Sequence, residues 1–308
     1  MKYKGHTFVS LGNGNQPFDR LIEIIELNKE KFPQPIIVQH GKTKIFSSSF
    51  ISYDFLGEED FFELLQNASC FVTHGGVGSI LSAIKIGVKA IVIPRERKYN
   101  EVVDDHQLEF VRLMKIKSYV IGLEEFIASS YEFPIKLRRE NCEEDFLNYL
   151  QLFKKHSGVV DPSKICLVCS NGGHLREILQ FQDYFMNINH FYVLNGHTKN
   201  VNVVSKKHYV LTLFERDLNF FRNIIEAFRI LKIERPNLIV TTGAGIAVPF
   251  ALVAKFFNIK VFYLETMAKV DRLSLTGHFM KFLSTKFFVP YNNMRGAPKK
   301  SIFIGMYF

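Results

Sequence analysis

Short apolar runs alternate with amphipathic stretches through the first part of the chain. Between residues 1 and 125 the apolar runs predict five strands, HTFVSL, PIIVQH, SCFVTH, AIVIP and SYVIG. Apolar residues at helical spacing predict helices at 17–30, 58–67, 77–87 and 101–115. Strands that alternate with helices in this way are typical of a doubly wound, largely parallel α/β sheet.

The same alternation starts again after a Pro-containing break, VVDPSK, near 158–163. A charged amphipathic stretch just before the break predicts one further helix. Beyond it, strands are predicted at KICLVCS, HFYVLNG, LIVTTG, KVFYLE and TKFFVP. A Gly-rich turn leads into a predicted helix at NGGHLREILQF, and two further helices are predicted at 217–233 and 245–257. We therefore predict two Rossmann-like domains, 1–157 and 158–308, which face each other across a cleft lined by the carboxyl ends of the strands.

The charge balance favours anionic partners. The 39 Lys and Arg residues against 30 Asp and Glu give a net charge of +9. Many of the 31 Phe residues stand beside Lys or Arg, notably in 217–233 and 278–300. This mixture fits an anionic membrane surface better than a nucleic acid, although core aromatics flanked by solvated charges give the same pattern.

The chain has no apolar run of the roughly 18 residues that a membrane span needs. Its first residues also lack the apolar core of a signal peptide. We therefore expect a cytoplasmic protein that lies at the inner face of the cell membrane. Cys166 and Cys169 form a C-x-x-C inside a predicted strand, which favours core cysteines over a redox pair.

The segment THGGVGSI places Gly75, Gly76 and Gly78 directly after a predicted strand. Such a cluster is typical of a tight strand-to-helix turn. It is equally typical of a cradle in which backbone N–H groups at a helix start face a phosphate. The glycines alone do not decide between these interpretations.

Polar residues also crowd the segment NEVVDDHQLEF, which the pattern places at a helix start. Acidic residues there complement the helix dipole, whereas His106 and Gln107 suit sugar or ribose hydroxyls. No second histidine lies at ligand spacing from His106, so we expect no metal.

A dinucleotide fingerprint is a rival interpretation of LIVTTGAGIAVPF. Gly243 and Gly245 follow a predicted strand, and Glu265 ends the next strand, as such a fingerprint requires. Val248 replaces the third glycine, however, and the turn falls in the middle of its domain. An NAD-dependent enzyme is therefore a minor alternative.

Several of these segments together resemble a known group of enzymes. HTFVSLGNGNQPFDRLIEII, THGGVGSI and IVIPRERKYNEVVDDHQLEF resemble the donor-binding subunit of bacterial two-component polysaccharide glycosyltransferases. KICLVCSNGGHLREIL, IERPNLIVTTGAGIAVPFALVAK and YLETMAKVDRLSLTGHFM resemble the acceptor-binding subunit. The eukaryotic dolichol-linked GlcNAc-transferase pair and MurG are similar. The resemblance implies a GT-B fold with the donor domain first, the reverse of the order in single-chain members.

The resemblance further implies an inverting, metal-independent transfer without a cofactor. A sugar would move from a UDP-sugar to a polyprenyl-diphosphate-linked saccharide, in the biosynthesis of capsule, exopolysaccharide or a similar polysaccharide. The glycine turn would then cradle the UDP diphosphate. A UDP-sugar epimerase of the same architecture is the alternative. The sequence leaves open the sugar, the linkage and the oligomeric state.

The strand ends and the resemblance together give the candidate site residues. For the UDP-sugar they are Gly12, Asn13, Gln39, His74, Gly75, Gly76, Gly78, Ser79, Glu101, Asp105, His106 and Gln107. For the lipid-linked acceptor they are Gly172, Gly173, Gly243, Gly245 and Arg272. Ser82 stands where relatives often carry a glutamate that holds the donor ribose, so Glu101 or Gln107 would make that contact.

A general base must take the proton of the acceptor hydroxyl. His174 in SNGGHL is the first candidate, because histidine titrates near neutral pH and this one lies at a predicted strand end. Glu265 is the second candidate, either as the base or as a group that orients it. A histidine bonded locally at a helix start is the alternative for His174, and a surface arginine is the alternative for Arg272.

Overall fold

The chain forms two compact units, 1–142 and 143–308, and each is described by itself. The computed structural model describes residues 3–12, 16–102, 106–137, 143–157, 162–195, 207–211 and 219–307. Asn13, Asp105 and the side chain of His106 lie outside this description. No helix in the described ranges combines the length and apolarity needed to cross a membrane.

The first unit contains a parallel sheet of six strands in the order β3-β2-β1-β4-β5-β6. The strands are β1 (Thr7–Ser10), β2 (Ile36–Gln39), β3 (Phe50–Tyr53), β4 (Cys70–Thr73), β5 (Ala90–Val92) and β6 (Val120–Gly122). The helices are α1 (Asp19–Leu27), α2 (Glu58–Asn67), α3 (Val77–Lys85), α4 (His106–Ile116) and α5 (Leu123–Ala128). The strand order reverses between β1 and β4, the position where doubly wound sheets bind ligands.

The central strands of this sheet are apolar on both faces because helices cover both. Val9 pairs with Val38 on one side and with Val72 on the other, and all three are fully buried. From α1, Leu21 and Ile25 pack into the same core, one helical turn apart.

The structure differs from the predicted helix at 101–115. Residues Arg97–Tyr99 form a 3₁₀ turn, and Asn100 adopts a left-handed conformation with φ of 57°. The described helix begins at His106. Glu101 lies outside it, and its carboxylate pairs with the half-buried Arg20.

The second unit contains a parallel sheet of seven strands in the order β13-β12-β11-β10-β7-β8-β9. The strands are β7 (Ile165–Ser170), β8 (His190–Asn195), β9 (His208–Leu211), β10 (Leu238–Thr241), β11 (Lys260–Leu264), β12 (Lys286–Val289) and β13 (Ile302–Phe303). The helices are α6 (Glu143–Ser157), α7 (Gly173–Leu179), α8 (Gln182–Phe185), α9 (Asn219–Glu234), α10 (Ala247–Phe256) and α11 (Leu275–Leu283). Here the strand order reverses between β7 and β10.

Helix α6 packs onto the second unit, whereas the predicted boundary after residue 157 assigned it to the first. The ring of Phe153 lies 5.0 Å from those of Phe181 and Phe288, measured between centroids. The Tyr149 hydroxyl donates a 2.8 Å hydrogen bond to the Gln180 carbonyl. These aromatic contacts explain why the compact unit begins at Glu143.

Candidate active site

The glycine turn after β4 encloses the ring of His74. A Cβ atom added at Gly12 would lie 2.4 Å from Cε1 of that ring, and one added at Gly76 would lie 2.3 Å from Nε2. Gly75 has φ of +83°, and a Cβ there would lie 2.8 Å from Cγ2 of Val111. Steric reasons alone therefore favour glycine at Gly75 and Gly76 in this turn and at Gly12 after β1.

Helix α3 begins directly after this turn, with Gly76 as its N-cap. Among the described residues no side chain caps it. Gly78 and Ser79 belong to its first turn. An uncapped helix start presents backbone N–H groups and the positive end of the helix dipole, which suit an anion. The local geometry thus permits the phosphate cradle as well as requiring the tight turn.

His74 is neutral at physiological pH. Burial, together with the nearby Arg95 guanidinium, lowers the pKa of His74 to about 4. Its Nδ1 lies 3.3 Å from the Ser10 carbonyl oxygen, which can only accept. The Ser10 contact favours a proton on Nδ1, with the Thr73 hydroxyl 3.2 Å away as a second acceptor, and leaves Nε2 as an acceptor. A neutral imidazole in this tautomer suits a ligand hydroxyl better than a phosphate.

Buried Arg95 holds the loop between β1 and α1 beside the turn, and half-buried Arg20 of α1 holds Glu101. The Arg95 guanidinium donates to the carbonyls of Leu11, Gln16 and Pro17 at 2.9 to 3.1 Å. Arg20 donates to both carboxylate oxygens of Glu101, at 2.9 and 2.8 Å. Because its carboxylate is occupied in this way and the residue is only 6% exposed, Glu101 supports the loop and does not face a ligand.

The remaining donor candidates divide by accessibility. Gln39 is buried, and its Oε1 accepts a 3.0 Å hydrogen bond from the Ser10 hydroxyl. Ser82 is also buried and donates to the Gly78 carbonyl at 2.8 Å, which suits helix packing and not a ribose contact. Gln107 differs, because its Oε1 is buried and has no hydrogen-bond partner among the described residues. It is therefore the stronger candidate for a ligand contact.

In the second unit, the turns after β7 and β10 meet at His174. Gly172 and Gly243 have φ of +91° and +104°, values that favour glycine. The Thr242 hydroxyl donates to the His174 carbonyl at 2.9 Å. A Cβ atom added at Gly243 would lie 3.6 Å from Cε1 of the same histidine. The structure thus brings together predicted residues from two separate strand ends.

Glu177 is the acidic partner of His174. Its Oε2 lies 3.4 Å from His174 Nδ1, an electrostatic contact without the geometry of a good hydrogen bond. Its Oε1 accepts from the Thr266 hydroxyl at 2.8 Å and from the Met267 amide at 3.0 Å. Burial opposes protonation of His174, but the carboxylates of Glu177 and Glu265 outweigh it and raise the pKa of His174.

The sequence interpretation missed Glu177. The available signal was its spacing, because residues three apart on a helix lie on the same face and Glu177 follows His174 by three. No sequence pattern indicated the hydrogen bond between Glu177 and Thr266, because that contact joins segments distant in sequence.

Glu265 is fully buried in a hydrogen-bonded position. It accepts from the amides of Thr266 and Ser274 at 2.9 and 3.1 Å and from the Tyr263 hydroxyl at 3.1 Å. Burial raises its pKa against these hydrogen bonds. Ser274 in turn caps α11. This placement favours a role in holding the start of α11 over the predicted role as a base, and it removes the acid that a dinucleotide ribose would need.

The other predicted residues lie apart from the His174 cluster or take structural positions. Arg272 is exposed, and its backbone bridges to Arg295. Gly173 begins α7, with open space where its side chain would be. Cys166 and Cys169 are fully buried, and burial raises the pKa of both thiols, which agrees with the prediction of core cysteines.

Comparison with known families identifies both halves of the chain. Residues 8–126 match the glycosyltransferase family 28 C-terminal domain. Residues 201–307 match the family described as oligosaccharide biosynthesis protein Alg14 like. The two matches support a GT-B glycosyltransferase of the MurG-like type, with the donor-type domain first. The predicted resemblance and the predicted domain order are thus confirmed. His174 and Glu177 precede the Alg14-like segment.

Solved structures similar to this MurG-like chain are distant in sequence. MurG of Acinetobacter baumannii is 14% identical, with a TM-score of 0.39 and coverage of 46% of this chain and 44% of that chain. A UDP-GlcNAc 2-epimerase from Methanocaldococcus jannaschii is 16% identical, with a TM-score of 0.36 and coverage of 42% and 40%. The chain thus spans less than half the length of these two proteins. Comparison with curated protein sequences gave no match.

Proposed function

We propose that this protein transfers a sugar from a UDP-sugar to a saccharide carried on a polyprenyl diphosphate, with inversion at the anomeric carbon. The observation that carries the proposal is the His174–Glu177 pair at the point where the second sheet reverses its strand order. The two family matches support a UDP-sugar as the donor and a lipid-linked acceptor. A polysaccharide pathway such as capsule or exopolysaccharide biosynthesis would use the product.

The first unit would hold the donor. Backbone N–H groups at the uncapped start of α3 would face the UDP diphosphate, and the helix dipole would offset its charge. The neutral His74 would accept a hydrogen bond from a donor hydroxyl. Stabilisation of the leaving diphosphate by these fixed dipoles requires neither a metal nor an organic cofactor.

The second unit would activate the acceptor. Neutral His174 would remove the proton from the acceptor hydroxyl as its oxygen bonds to the anomeric carbon and the bond from that carbon to UDP breaks. The proton would remain on His174, and UDP would leave with the bonding electrons. Glu177 would stabilise the imidazolium that forms, in the way that a buried carboxylate supports histidine in other enzymes.

Product analysis tests this function. The full chain is incubated with UDP-GlcNAc, UDP-glucose, UDP-galactose or UDP-glucuronate and a short-chain polyprenyl-diphosphate saccharide, and products are identified by mass spectrometry. We expect release of UDP and a glycan longer by one sugar, with the rate about 10²–10⁴-fold lower in His174→Asn. His278→Asn, a change at an exposed histidine, is the matched control. An epimerised nucleotide sugar without acceptor extension would instead establish the epimerase alternative.

We further propose that helices α9, α10 and α11 rest on an anionic membrane. Phe221, Phe256 and Phe282 are 65%, 76% and 71% exposed on these helices. Lysines such as Lys255 and Lys281 stand beside them, a mixture suited to the headgroup region. Sedimentation with phosphatidylglycerol vesicles should exceed that with phosphatidylcholine vesicles and should weaken with salt. Equal sedimentation with both would contradict the proposal.

A further inference from the structure

An apolar groove begins at the candidate acceptor site and continues between α10 and α11. Its volume is about 620 Å³, and Gly245, in the turn after β10, is one of the residues that line it. Its apolar lining comprises Phe220 of α9 together with Val248, Leu252, Leu275, Phe279, Phe282 and Leu283. This size is typical of sites for small molecules.

The side chains of this groove are exposed although they are large and apolar. Leu275, Phe279 and Phe282 are 58%, 53% and 71% exposed, and they lie along one side of α11. Leaving three such side chains in water is unfavourable, and covering them with an apolar ligand would recover part of the free energy of burial.

The position of the groove indicates what covers it. Gly245 follows Gly243, and Gly243 lies against His174 and Tyr263. A ligand whose polar end lies at His174 therefore has its next atoms at the mouth of the groove. The acceptor of the proposed reaction has this form, because its saccharide and diphosphate precede a long hydrocarbon chain.

We propose that the groove between α10 and α11 binds the isoprenoid chain of the acceptor, an inference that rests on the proposed function. An extended peptide fits this lining less well, because its N–H and C=O groups would lose water without gaining partners. An isoprenoid chain carries no such groups. The nine residues of α11 span about 13 Å, enough for several isoprene units. The groove thus selects acceptors by the length of their hydrocarbon chain.

Direct binding tests this inference apart from catalysis. The full chain is titrated by equilibrium dialysis with radiolabelled geranylgeranyl diphosphate, which has four isoprene units, and with dimethylallyl diphosphate, which has one. We expect the longer ligand to bind at least about tenfold more tightly. The double variant Phe279→Gln/Phe282→Gln should lose this preference while binding of the short ligand stays unchanged.

Phe303→Gln is the matched control, because Phe303 lies on β13, is 42% exposed and neither lines the groove nor belongs to the helices proposed to rest on the membrane. It should change the affinity for the longer ligand less than twofold. An equal loss in Phe303→Gln, or no effect of chain length, would overturn the groove assignment.

Sugar transfer measured in the same variants separates this inference from the proposed function. If transfer proceeds but short and long acceptors react alike, the groove assignment fails and the function stands. If no sugar is transferred but chain-length-dependent binding persists, the function fails and the groove remains an isoprenoid site.

Discussion

The glycine turns of the two units each hold a histidine at the end of a central strand, but the charges around the two imidazoles are opposite. His74 lies near the Arg95 guanidinium, which together with burial lowers its pKa to about 4. His174 lies near Glu177 and Glu265, which raise its pKa against the effect of burial. Similar backbone turns thus hold one histidine as a neutral hydrogen-bonding group and the other in a position suited to take up a proton. The neighbouring charge, and not the turn, decides between these two roles.

Among the substitutions around the two histidines, we expect removal of Arg95 to have the largest effect on stability. Arg95→Met leaves the carbonyls of Leu11, Gln16 and Pro17 without their buried donor, so we expect a loss of about 3–5 kcal/mol in the free energy of unfolding. Lys98→Met, at an exposed residue paired with Glu96, should cost no more than about 1 kcal/mol. Urea denaturation measures both, and similar losses in the two variants would contradict the supporting role of Arg95.

Because the pKa of His74 is lowered in the folded chain, the free energy of unfolding should fall in acid. The unfolded chain takes up the His74 proton below the ordinary value of 6.5, whereas the folded chain takes it up only near pH 4, so stability is lost as the pH falls through this window. Between pH 7 and pH 4.5 the wild-type chain should lose about 2–3 kcal/mol more than His74→Asn. Urea denaturation at several pH values checks this, and parallel pH profiles would show that the pKa of His74 is ordinary.

Substitution of Gly76 tests whether the glycine turn packs directly against the His74 ring. Gly76→Ala places a Cβ against the His74 ring and should cost about 1–3 kcal/mol, because the ring must move. In a His74→Ala background the same change should cost much less. Gly173→Ala, at the start of α7, has open space for the new atom and is the control. Equal costs in both backgrounds would contradict the close approach of Gly76 to His74.

Glu177→Gln should have the smallest effect, and it tests whether the Glu177 carboxylate raises the pKa of His174. Loss of the carboxylate charge lowers the pKa of His174, so the acidic limb of the pH–rate profile should move to lower pH. Transfer at neutral pH should fall by about tenfold, because the imidazolium loses its support. Steady-state rates between pH 5 and pH 8 measure both effects. A reduced rate with an unchanged acidic limb would assign Glu177 a purely structural role.

The sequence predicted the central strands of both sheets and missed three of the four edge strands, since SYVIG correctly predicted β6. β3, β9 and β13 lie at the ends of their sheets, and they include more exposed positions than the strands beside them. A strand paired on one side only needs fewer apolar residues, so its periodic signal is weak. The central strands, covered on both faces, carry the continuous apolar runs that the prediction used.

The local features of the candidate site could be predicted from the sequence, but most contacts between distant segments could not. Glycine turns and polar strand ends are local features, and they located His74, His174 and the turn at Gly243. The partners that set the two histidine pKa values are only partly local, because Glu177 lies three residues from His174 on the same helix whereas the other two charged partners are distant in sequence. Arg95 and Glu265 reach the sites from other strand ends, and no pattern within a short segment of sequence indicates such contacts.

The packing of α6 determines where the chain can be divided. Phe153 and Tyr149 complete the aromatic cluster around Phe181 in the second unit. A version of the protein encoded as two polypeptides would therefore keep both hydrophobic cores intact only if the break falls before Glu143. A break at the proline-containing segment would leave α6 on the wrong polypeptide, with its aromatic face in water and a matching gap against β12.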